Sequence, residues 1–378
     1  MRLAVTGGGT GGHIYPALSV VAALQEPPTS IASTDILYLG MKGGPEERLS
    51  TEAGLAFSPV SAAAVVGRNP LSIALGSVRI LSGIQQASHA LGDFGAQAVL
   101  ATGGYVSVPV GLAAWRRRIP LLVYLPDREP GLAVKFLSIF AKTMAVTAMP
   151  VRTAFPPGKT IVTGYPVRPG FGEVSKRTAR SLLRLDPDLT TLLVLGGSQG
   201  AHAINEAITA HCEQLAERCQ IIHISGPADE PWLRERVSML PKTVQDRYHL
   251  YPYLSKEMPE AMAAADLAIS RSGASVMGEF TITGLPSILV PYPYAGAHQI
   301  DNAKYLASSG AAVVLEETRI AELVPTALSL LDNPARLAEM SGHARTLAWP
   351  DAAATIGRLL TDLASEQAQT ISAKAKAG

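Results

Sequence analysis

His13 directly follows a run of glycines that joins an apolar segment to a sequence compatible with a helix. Residues 3–6 are typical of a buried strand, and residues 7–12 are all glycine except Thr10. A glycine turn lets the backbone approach a ligand closely, and the helix N-terminus after it attracts phosphate through its free N–H groups. The same helix end disfavours imidazolium, so His13 should be neutral, as a general base requires. The alternative is a histidine that only packs against the helix or caps it.

Two further glycine turns follow predicted strands. Residues 196–201 come after the apolar run 192–195, and residues 102–104 come after the run 98–101. The glycine turns at 7–12 and 196–201 both lack the Gly-Lys-Ser/Thr of a Walker motif. Neither matches the dinucleotide-binding fingerprint, which has an acidic residue about 20 residues later. Glycines can simply tighten the contact between a strand and a helix. Their repetition in equivalent places nevertheless favours a ligand that carries phosphate.

A third group of polar side chains lies in the second half of the chain. Residues 266–275 predict a strand and a polar turn, and Glu279 falls within the first two turns of the next helix. A carboxylate there could accept both hydroxyls of a ribose, or could serve only the stability of the helix. His298, Gln299 and Asn302 follow a later strand, where neutral amides suit hydroxyl recognition but also make ordinary caps.

No residue pattern indicates a metal ion or another cofactor. The only D-x-D, at residues 186–188, precedes a predicted strand, whereas ligands collect at the carboxyl ends of strands, so we expect a turn there. Cys212 and Cys219 cannot form a disulfide framework and complete no metal site, which suits a reducing cytoplasm.

The elements that must position these residues alternate along the chain. Runs of three to five apolar residues bounded by Gly or Pro are typical of parallel strands buried on both faces, and helix-compatible segments separate them. We therefore predict an α/β fold of two doubly wound parallel-sheet domains, which suits a length of 378 residues. The boundary should fall in the Pro/Gly-rich connector at residues 164–170. The predicted strands are 3–6, 36–39, 98–101, 121–124, 144–146, 160–163, 192–195, 220–223, 249–251, 267–270, 287–290 and 312–314.

The segment 94–115 has 22 uncharged residues, which is the length of a membrane span. The glycine turn at 102–104 and Pro109 interrupt it, so we predict a buried strand, a turn and a helix instead.

Charge is divided unevenly between the two halves of the chain. The net charge of +1 combines +6 for residues 1–170 with −5 for residues 171–378, and residues 68–168 hold 11 basic and 3 acidic side chains. A net charge of +1 gives the chain as a whole no strong electrostatic attraction for nucleic acid. A basic face with apolar residues among its cations does suit docking on an anionic membrane surface.

Four motifs occur in order and together resemble the MurG family of UDP-N-acetylglucosamine transferases: residues 8–13, 102–107, 196–201, and 270–274 with Glu279. The resemblance implies a GT-B fold, with two Rossmann-like domains facing a cleft. The N-terminal domain would span residues 1–165 and regain a returning helix at about 350–365, the C-terminal domain would span 170–348, and residues 366–378 would be a frayed tail. It also implies inverting, metal-independent transfer without a cofactor.

The resemblance further implies roles for individual residues. His13 is the candidate base, and the loop with Thr10, Gly11 and Gly12 lies at the sugar and acceptor side. Arg168 contacts phosphate, Ser198 with the adjacent Gln199 lies at the diphosphate, and a backbone group of Leu254 reads uracil. Gln299, preceded by His298, binds sugar hydroxyls. The nucleotide is held by Ala274, Ser275, Val276, Met277, Gly278 and Glu279, with Glu279 on the ribose.

The sequence departs from the family pattern in the N-terminal half. Asp127 stands where the family has Asn, Leu125 replaces a Glu, and Tyr165 replaces a common Asn. The first two changes fall near the expected acceptor-binding region, so they bear on the acceptor more than on the donor.

The implied partners are UDP-N-acetylglucosamine, an undecaprenyl-linked muramyl pentapeptide and the anionic inner-membrane surface, at the cytoplasmic face of the membrane. Three alternatives stay open: the same chemistry with another lipid or glycan acceptor, a UDP-sugar-binding protein without turnover, and a UDP-sugar epimerase of the same fold.

Overall fold

The computed structural model describes residues 1–63, 70–148, 155–197, 200–293 and 298–377. The chain divides into two compact units. The first comprises Met1–Pro169 together with Pro350–Gly378, and the second comprises Gly170–Trp349.

Seven described strands of the first unit form a parallel sheet in the order β3-β2-β1-β4-β5-β6-β7. Leu3 of β1 aligns with Ile36 on one neighbouring strand and Ala98 on the other. The strands are β1 (Leu3–Thr6), β2 (Ile36–Gly40), β3 (Ala56–Pro59), β4 (Ala98–Ala101), β5 (Leu121–Leu125), β6 (Thr143–Val146) and β7 (Thr160–Val162).

Helices cover both faces of this sheet, and alternate side chains of each strand enter different apolar clusters. Leu37 and Val99 belong to one cluster, whereas Leu3, Tyr38 and Leu100 belong to the other. Burial on both faces explains why these strands are continuous apolar runs. The helices are α1 (Gly11–Gln25), α2 (Pro45–Glu52), α3 (Pro70–Phe94), α4 (Ser107–Arg116) and α5 (Leu132–Leu137).

The second unit has a parallel sheet of six described strands in the order β10-β9-β8-β11-β12-β13. Its strands are β8 (Thr191–Leu195), β9 (Gln220–Ile224), β10 (Tyr248–Tyr251), β11 (Leu267–Ser270), β12 (Ser287–Leu289) and β13 (Ala312–Val314). Its helices are α6 (Lys176–Leu182), α7 (His202–Ala210), α8 (Cys212–Ala216), α9 (Glu230–Ser238), α10 (Lys242–Gln245), α11 (Met258–Ala264), α12 (Val276–Thr283), α13 (His298–Ser308), α14 (Leu323–Leu331) and α15 (Pro334–Thr346).

The last helix, α16 (Ala352–Ala377), belongs to the first unit and packs against α1 and β4. It includes residues 366–377, for which the sequence predicts a frayed tail. The segment is rich in Ala, Lys, Gln and Glu, which are strong helix formers and favour helix even where few apolar side chains are available.

Each sheet reverses its strand order at a defined point. In the first unit β1 lies between β2 and β4, and in the second unit β8 lies between β9 and β11. Ligands of doubly wound sheets bind outside the carboxyl ends of the strands at such switch points. The glycine turns after β1, β4 and β8 and the polar turn after β11 all lie at these edges.

The predicted fold class is confirmed, and the uncharged segment 94–115 forms the end of α3, strand β4 and helix α4. Among the residues the structure describes, no helix is long and apolar enough to span a membrane. The sequence prediction missed β3, which lies at an edge of the sheet and is only partly buried. An edge strand that ends in proline lacks the apolar run by which the buried strands are recognised.

Candidate active site

The side chain of His13 is held by the turn that follows β4. His13 is the third residue of α1, and its Nδ1 lies 2.9 Å from the carbonyl oxygen of Thr102. Because a carbonyl can only accept, Nδ1 carries the proton and the neutral ring has its basic lone pair on Nε2. The hydroxyl of Thr102 donates back to the carbonyl oxygen of His13 at 2.6 Å. The two residues therefore fix both the tautomer and the orientation of the ring.

Two glycines make this close approach possible. A Cβ atom on Gly103 would lie 2.6 Å from Nδ1 of His13, and one on Gly104 would lie 2.3 Å from the carbonyl oxygen of Gly8. Both residues also have left-handed backbone angles, with φ of +112° and +82°. Any side chain at either position would push the two turns apart, so the glycines predicted to cradle a ligand also hold the candidate base.

A buried carboxylate lies beneath the first glycine turn. Glu46 of α2 is fully buried, and its Oε2 accepts a hydrogen bond from the backbone N–H of Gly9 at 3.3 Å. Its Oε1 accepts from the N–H of Met41 at 3.1 Å. The carboxylate thus connects the turn after β1 to the turn after β2.

Arg168 and Asp127 belong to the same unit as His13. The guanidinium carbon of Arg168 lies 4.3 Å above the ring of Tyr15, which is on α1 two residues after His13. Asp127 follows β5 and is half-buried. It is close enough to Tyr124 to affect that phenol, whose pKa is raised well above its ordinary value chiefly by burial and further by Asp127. The contact with Tyr15 connects Arg168 to α1, the helix that follows the first glycine turn.

The glycine turn after β8 packs against the segment after β9. Gly200 has a φ of +78°, and a Cβ atom on it would lie 2.2 Å from the carbonyl oxygen of Ser225. The amide nitrogen of Asn205 on α7 donates to that same carbonyl at 2.9 Å and to Oδ2 of Asp229 at 2.7 Å. Asn205 therefore fixes two neighbouring turns at the carboxyl edge of the sheet.

A chain of buried hydrogen bonds orients Asn205. Its Oδ1 lies 2.9 Å from Nε2 of His223, and Nδ1 of His223 is hydrogen-bonded to the hydroxyl of Tyr248. Since Asn205 Oδ1 can only accept, His223 is protonated on Nε2 and accepts from Tyr248 on Nδ1. Burial lowers the pKa of His223 to about 3, so the ring is neutral. Each hydrogen bond in this series therefore has a defined donor and acceptor.

This series of hydrogen bonds ends at Asp229. The carboxylate of Asp229 also accepts hydrogen bonds from Nδ1 of His202 at 2.9 Å and from the indole N–H of Trp232 at 3.0 Å. Burial alone would raise the pKa of Asp229, but these donors and Asn205 lower it overall. The hydrogen bond to Asp229 in turn raises the pKa of His202. Asp229 is therefore an anion that gathers three donors beside the glycine turn.

The turn after β11 is tied to the start of α13. The hydroxyl of Ser272 donates to the carbonyl oxygen of Gln299 at 2.8 Å, and the buried amide of Asn302 donates to the carbonyl oxygen of Ser272 at 3.1 Å. The side-chain oxygen of Gln299 accepts from the backbone N–H of Tyr292 at 2.9 Å. The amide nitrogen of Gln299 is then the part of this side chain that can donate to a sugar hydroxyl.

Glu279 is the fourth residue of α12, and only 6% of it is exposed. The positive end of the helix favours a carboxylate at this place. Arg271 directly follows β11 and is buried. It forms an ion pair with Glu317, and its guanidinium carbon lies 5.2 Å from the centre of the Tyr292 ring. The turn that leads into α12 is thus held rigidly on one side by Arg271 and on the other by Asn302.

Family models match both halves of the chain. The glycosyltransferase family 28 N-terminal domain matches residues 3–146, and the glycosyltransferase family 28 C-terminal domain matches residues 191–356. The chain belongs to glycosyltransferase family 28. It is therefore an enzyme that transfers a glycosyl group.

Relatives within family 28 share nearly the whole length of the chain. A protein of Roseiflexus sp. (strain RS-1) is 39% identical over 96% of this chain and 95% of its own length, and one of Bacillus subtilis (strain 168) is 34% identical over 96% and 99%. Both are named UDP-N-acetylglucosamine–N-acetylmuramyl-(pentapeptide) pyrophosphoryl-undecaprenol N-acetylglucosamine transferase.

Solved structures share the GT-B fold of this chain. MurG of Acinetobacter baumannii is 27% identical, covers 96% of this chain and 99% of its own, and superposes with a TM-score of 0.73. A UDP-GlcNAc 2-epimerase of Neisseria meningitidis has a TM-score of 0.66 at 14% identity, which shows a shared fold alone.

Most of the site residues predicted from the sequence lie at the starts of helices α1, α12 and α13. His13, Thr10, Gly11 and Gly12 lie at the start of α1, and Thr10 is exposed immediately before that helix. Ser198 and Gln199 lie outside the described residues. Ala274 and Ser275 precede α12, and Val276, Met277, Gly278 and Glu279 form its first turn, with His298 and Gln299 at the start of α13.

Leu254 is buried three residues after β10. That strand lies next to β9. Ser225, which follows β9, accepts a hydrogen bond from the side-chain amide of Asn205 on its carbonyl oxygen and donates its own N–H to the carbonyl oxygen of Tyr251 at 3.0 Å. Leu254 thus lies beyond the same carboxyl edge as the glycine turn of the second unit. Its role in binding uracil stays a prediction.

Sequence reasoning missed Glu46, Asn205, His223 and Asp229. Gly40, Gly43 and Gly44 shortly precede Glu46 in the sequence, and such small residues suggest a close approach, but they do not distinguish Glu46 from the adjacent Glu47. Within the described parts of the chain, no cluster of three or more His, Cys, Asp or Glu could hold a metal ion.

Proposed function

We propose that the protein transfers N-acetylglucosamine from UDP-N-acetylglucosamine to the lipid-linked N-acetylmuramyl pentapeptide of peptidoglycan synthesis, converting lipid I to lipid II. The observation that carries the proposal is the hydrogen bond from His13 to Thr102, which leaves the basic lone pair on Nε2. The names of the full-length relatives support the same donor and acceptor.

The reaction is an inverting single displacement. The hydroxyl of the acceptor attacks the anomeric carbon of the sugar, and Nε2 of His13 removes its proton. The bond from that carbon to the diphosphate oxygen breaks, and UDP leaves with the electron pair. A neutral imidazole is suited to accepting this proton.

The second unit binds the donor in this proposal. Glu279 accepts hydrogen bonds from the ribose, Gln299 and His298 bind the sugar hydroxyls, and a backbone group of Leu254 reads uracil. Backbone N–H groups of the turn after β8, together with Ser198 and Gln199, stabilise the departing diphosphate. Arg168 supplies a positive charge for the same group, with its guanidinium held over Tyr15. None of these steps requires a metal ion.

We further propose that the first unit docks on the cytoplasmic face of an anionic membrane. Four large apolar side chains of α4 and α5 and the residues after them are exposed: Trp115 by 55%, Leu132 by 64%, Phe136 by 41% and Ile139 by 69%. We call these four residues the docking surface. Phe140 packs between two of them, because its ring centre lies 5.1 Å from that of Trp115 and 5.3 Å from that of Phe136.

Cations lie directly beside the docking surface. Arg116, Arg117 and Arg118 directly follow Trp115 in the sequence. Lys135 and Lys142 lie on either side of the segment that contains Phe136, Ile139 and Phe140, and all five cations are exposed. Each basic side chain near an anionic surface contributes about 1 kcal/mol of attraction. Binding to vesicles should therefore require anionic lipid and weaken as salt is added. Equal binding to neutral vesicles, or binding that salt does not change, would contradict this part of the proposal.

The test of the transfer is incubation of the purified protein with UDP-N-acetylglucosamine and synthetic lipid I. Formation of lipid II supports the proposal. Absence of product despite tight UDP binding would overturn it and would favour a different lipid or glycan acceptor, which Asp127 and Leu125 allow. A parallel incubation with the donor alone, followed by analysis of the sugar, distinguishes an epimerase.

A further inference from the structure

Glu46 is a fully buried carboxylate for which the proposed transfer has no direct use. It is the second residue of α2, and the turn before that helix wraps around it. A buried carboxylate is costly to keep unless each oxygen is hydrogen-bonded. Here Oε2 accepts from the N–H of Gly9 and Oε1 accepts from the N–H of Met41. Both oxygens therefore connect separate segments of backbone.

The glycines around Glu46 are the ones that leave room for its side chain. A Cβ atom on Gly8 would lie 2.5 Å from Oε1 of Glu46, one on Gly40 would lie 2.5 Å from its Cγ, and one on Gly44 would lie 2.8 Å from its Oε2. Gly8 belongs to the turn after β1, Gly40 is the last residue of β2, and Gly44 belongs to the turn after β2. The first glycine turn is thus shaped in part by a carboxylate of the protein itself.

The same turn is also fixed from its other sides. The hydroxyl of Tyr38 donates to the carbonyl oxygen of Gly7 at 2.6 Å, and the N–H of Gly8 donates to the carbonyl oxygen of Gly103 at 3.3 Å. Burial raises the pKa of Tyr38, and the nearby carboxylate of Glu46 raises it further. The phenol therefore keeps its proton for this hydrogen bond.

We propose that Glu46 is a positioning residue for the proposed transfer, which holds the turn from Gly8 to Gly9 in the conformation that His13 requires. The N–H of Gly9 is used inside the protein, on Oε2 of Glu46, rather than on a ligand. Because α1 begins two residues after Gly9, a change in this turn moves the start of the helix and with it the imidazole. This inference rests on the proposed function where it is tested by kcat, and it does not where it is tested by hydrogen–deuterium exchange.

The decisive variant is Glu46→Gln, which keeps the shape of the side chain. A glutamine offers one carbonyl oxygen and one NH2 group, so it can accept from Gly9 or from Met41 but not from both. We expect kcat for transfer to fall by about 10- to 100-fold, because a small displacement of a catalytic group has effects of that size. UDP affinity should stay within about twofold, since the donor residues other than Arg168 belong to the second unit. The matched control is Glu52→Gln on the same helix, which is exposed and pairs with Arg48.

A second variant and a second measurement keep the test independent of how well Glu46→Gln folds. Gly8→Ala should displace the carboxylate, because the new methyl group would lie 2.5 Å from Oε1 of Glu46, and it should cause the same loss of kcat. Hydrogen–deuterium exchange of residues 7–13 should become faster in both variants, whereas exchange of β4 should not change.

A kcat of Glu46→Gln equal to that of the wild type would overturn the inference, and so would unchanged exchange in residues 7–13. Failure of the proposed function is a different result: the wild type would then form no product from lipid I. In that case the exchange measurement alone decides whether Glu46 holds the turn.

Discussion

Nδ1 of His13 and the carbonyl oxygen of Thr102 are 2.9 Å apart, and the hydroxyl of Thr102 donates to the carbonyl oxygen of His13 at 2.6 Å. This reciprocal pair connects the start of α1 to the turn after β4. It selects the tautomer of the imidazole and so determines which nitrogen can act as a base.

Replacing His13 with alanine should remove the proton acceptor and little else. We expect kcat for transfer to fall by about 1,000-fold, within the range of general-base contributions, while the dissociation constant of UDP stays the same. Steady-state kinetics and calorimetric titration with UDP measure the two quantities. His89→Ala is the matched control, because His89 is exposed on α3 of the same unit. Transfer that persists in His13→Ala would show that another group is the base.

Gly103→Ala should impair catalysis through the position of the ring. The added methyl group would lie 2.6 Å from Nδ1 of His13, so the imidazole must move, and a loss of about 100-fold in kcat is expected. Gly54→Ala is the control, since Gly54 has a positive φ of +72° but no atom within 4 Å of the new carbon. Equal losses in both variants would mean that backbone strain alone explains the effect.

Glu279→Gln should weaken the binding of the nucleotide. A carboxylate accepts two hydroxyl hydrogen bonds of a ribose more strongly than an amide does, and the difference of about 1.5 kcal/mol corresponds to roughly tenfold in the dissociation constant of UDP. Titration calorimetry with UDP measures it directly. Glu235→Gln, at an exposed position of α9, is the control. Unchanged UDP affinity in Glu279→Gln would exclude the ribose contact.

Stability of the second unit should depend on pH through His223. Its pKa is about 3 in the folded protein against an ordinary value of 6.5, so the unfolded chain binds the proton more readily. The stabilisation is complete above about pH 6.5 and is lost as pH falls towards 3. Between pH 7.5 and pH 5 the free energy of unfolding should fall by about 2 kcal/mol from this group.

Urea unfolding of the wild type and of His223→Asn at the two pH values tests this prediction. The raised pKa of His202 contributes with the opposite sign, but that residue is present in both proteins and its contribution cancels in the comparison. Burial also lowers the pKa of His249, which both proteins keep, so the acid-dependent loss should be smaller in the variant by about 2 kcal/mol rather than absent. An identical pH dependence in the two proteins would show that His223 is not the group responsible.

The sequence predicted the doubly wound fold because buried parallel strands are continuous apolar runs, as in β1 and β8. It predicted the place of His13 because glycine turns, strand ends and helix starts are local features. It could not predict that Thr102 and His13 are paired, since they are 89 residues apart along the chain. The glycines at 103 and 104 indicated a close approach without identifying what approaches.

Buried polar groups were the least predictable part of the site. Asn205 and His223 look like ordinary helix and strand residues, and only the tertiary contacts between α7, β9 and β10 bring them together with Tyr248. Glu46 is one of two adjacent glutamates at the start of α2, and nothing local distinguishes the buried one from its partly exposed neighbour Glu47.

The most direct test of the proposed transfer is analysis of the product formed from UDP-N-acetylglucosamine and synthetic lipid I, by mass spectrometry and by proton NMR of the anomeric centre. We expect one N-acetylglucosamine added to the muramyl sugar in a β linkage, because the donor is an α-linked sugar nucleotide and a single displacement inverts the centre. An α-linked product would contradict the single displacement, and no disaccharide at all, with UDP binding intact, would contradict the proposed acceptor.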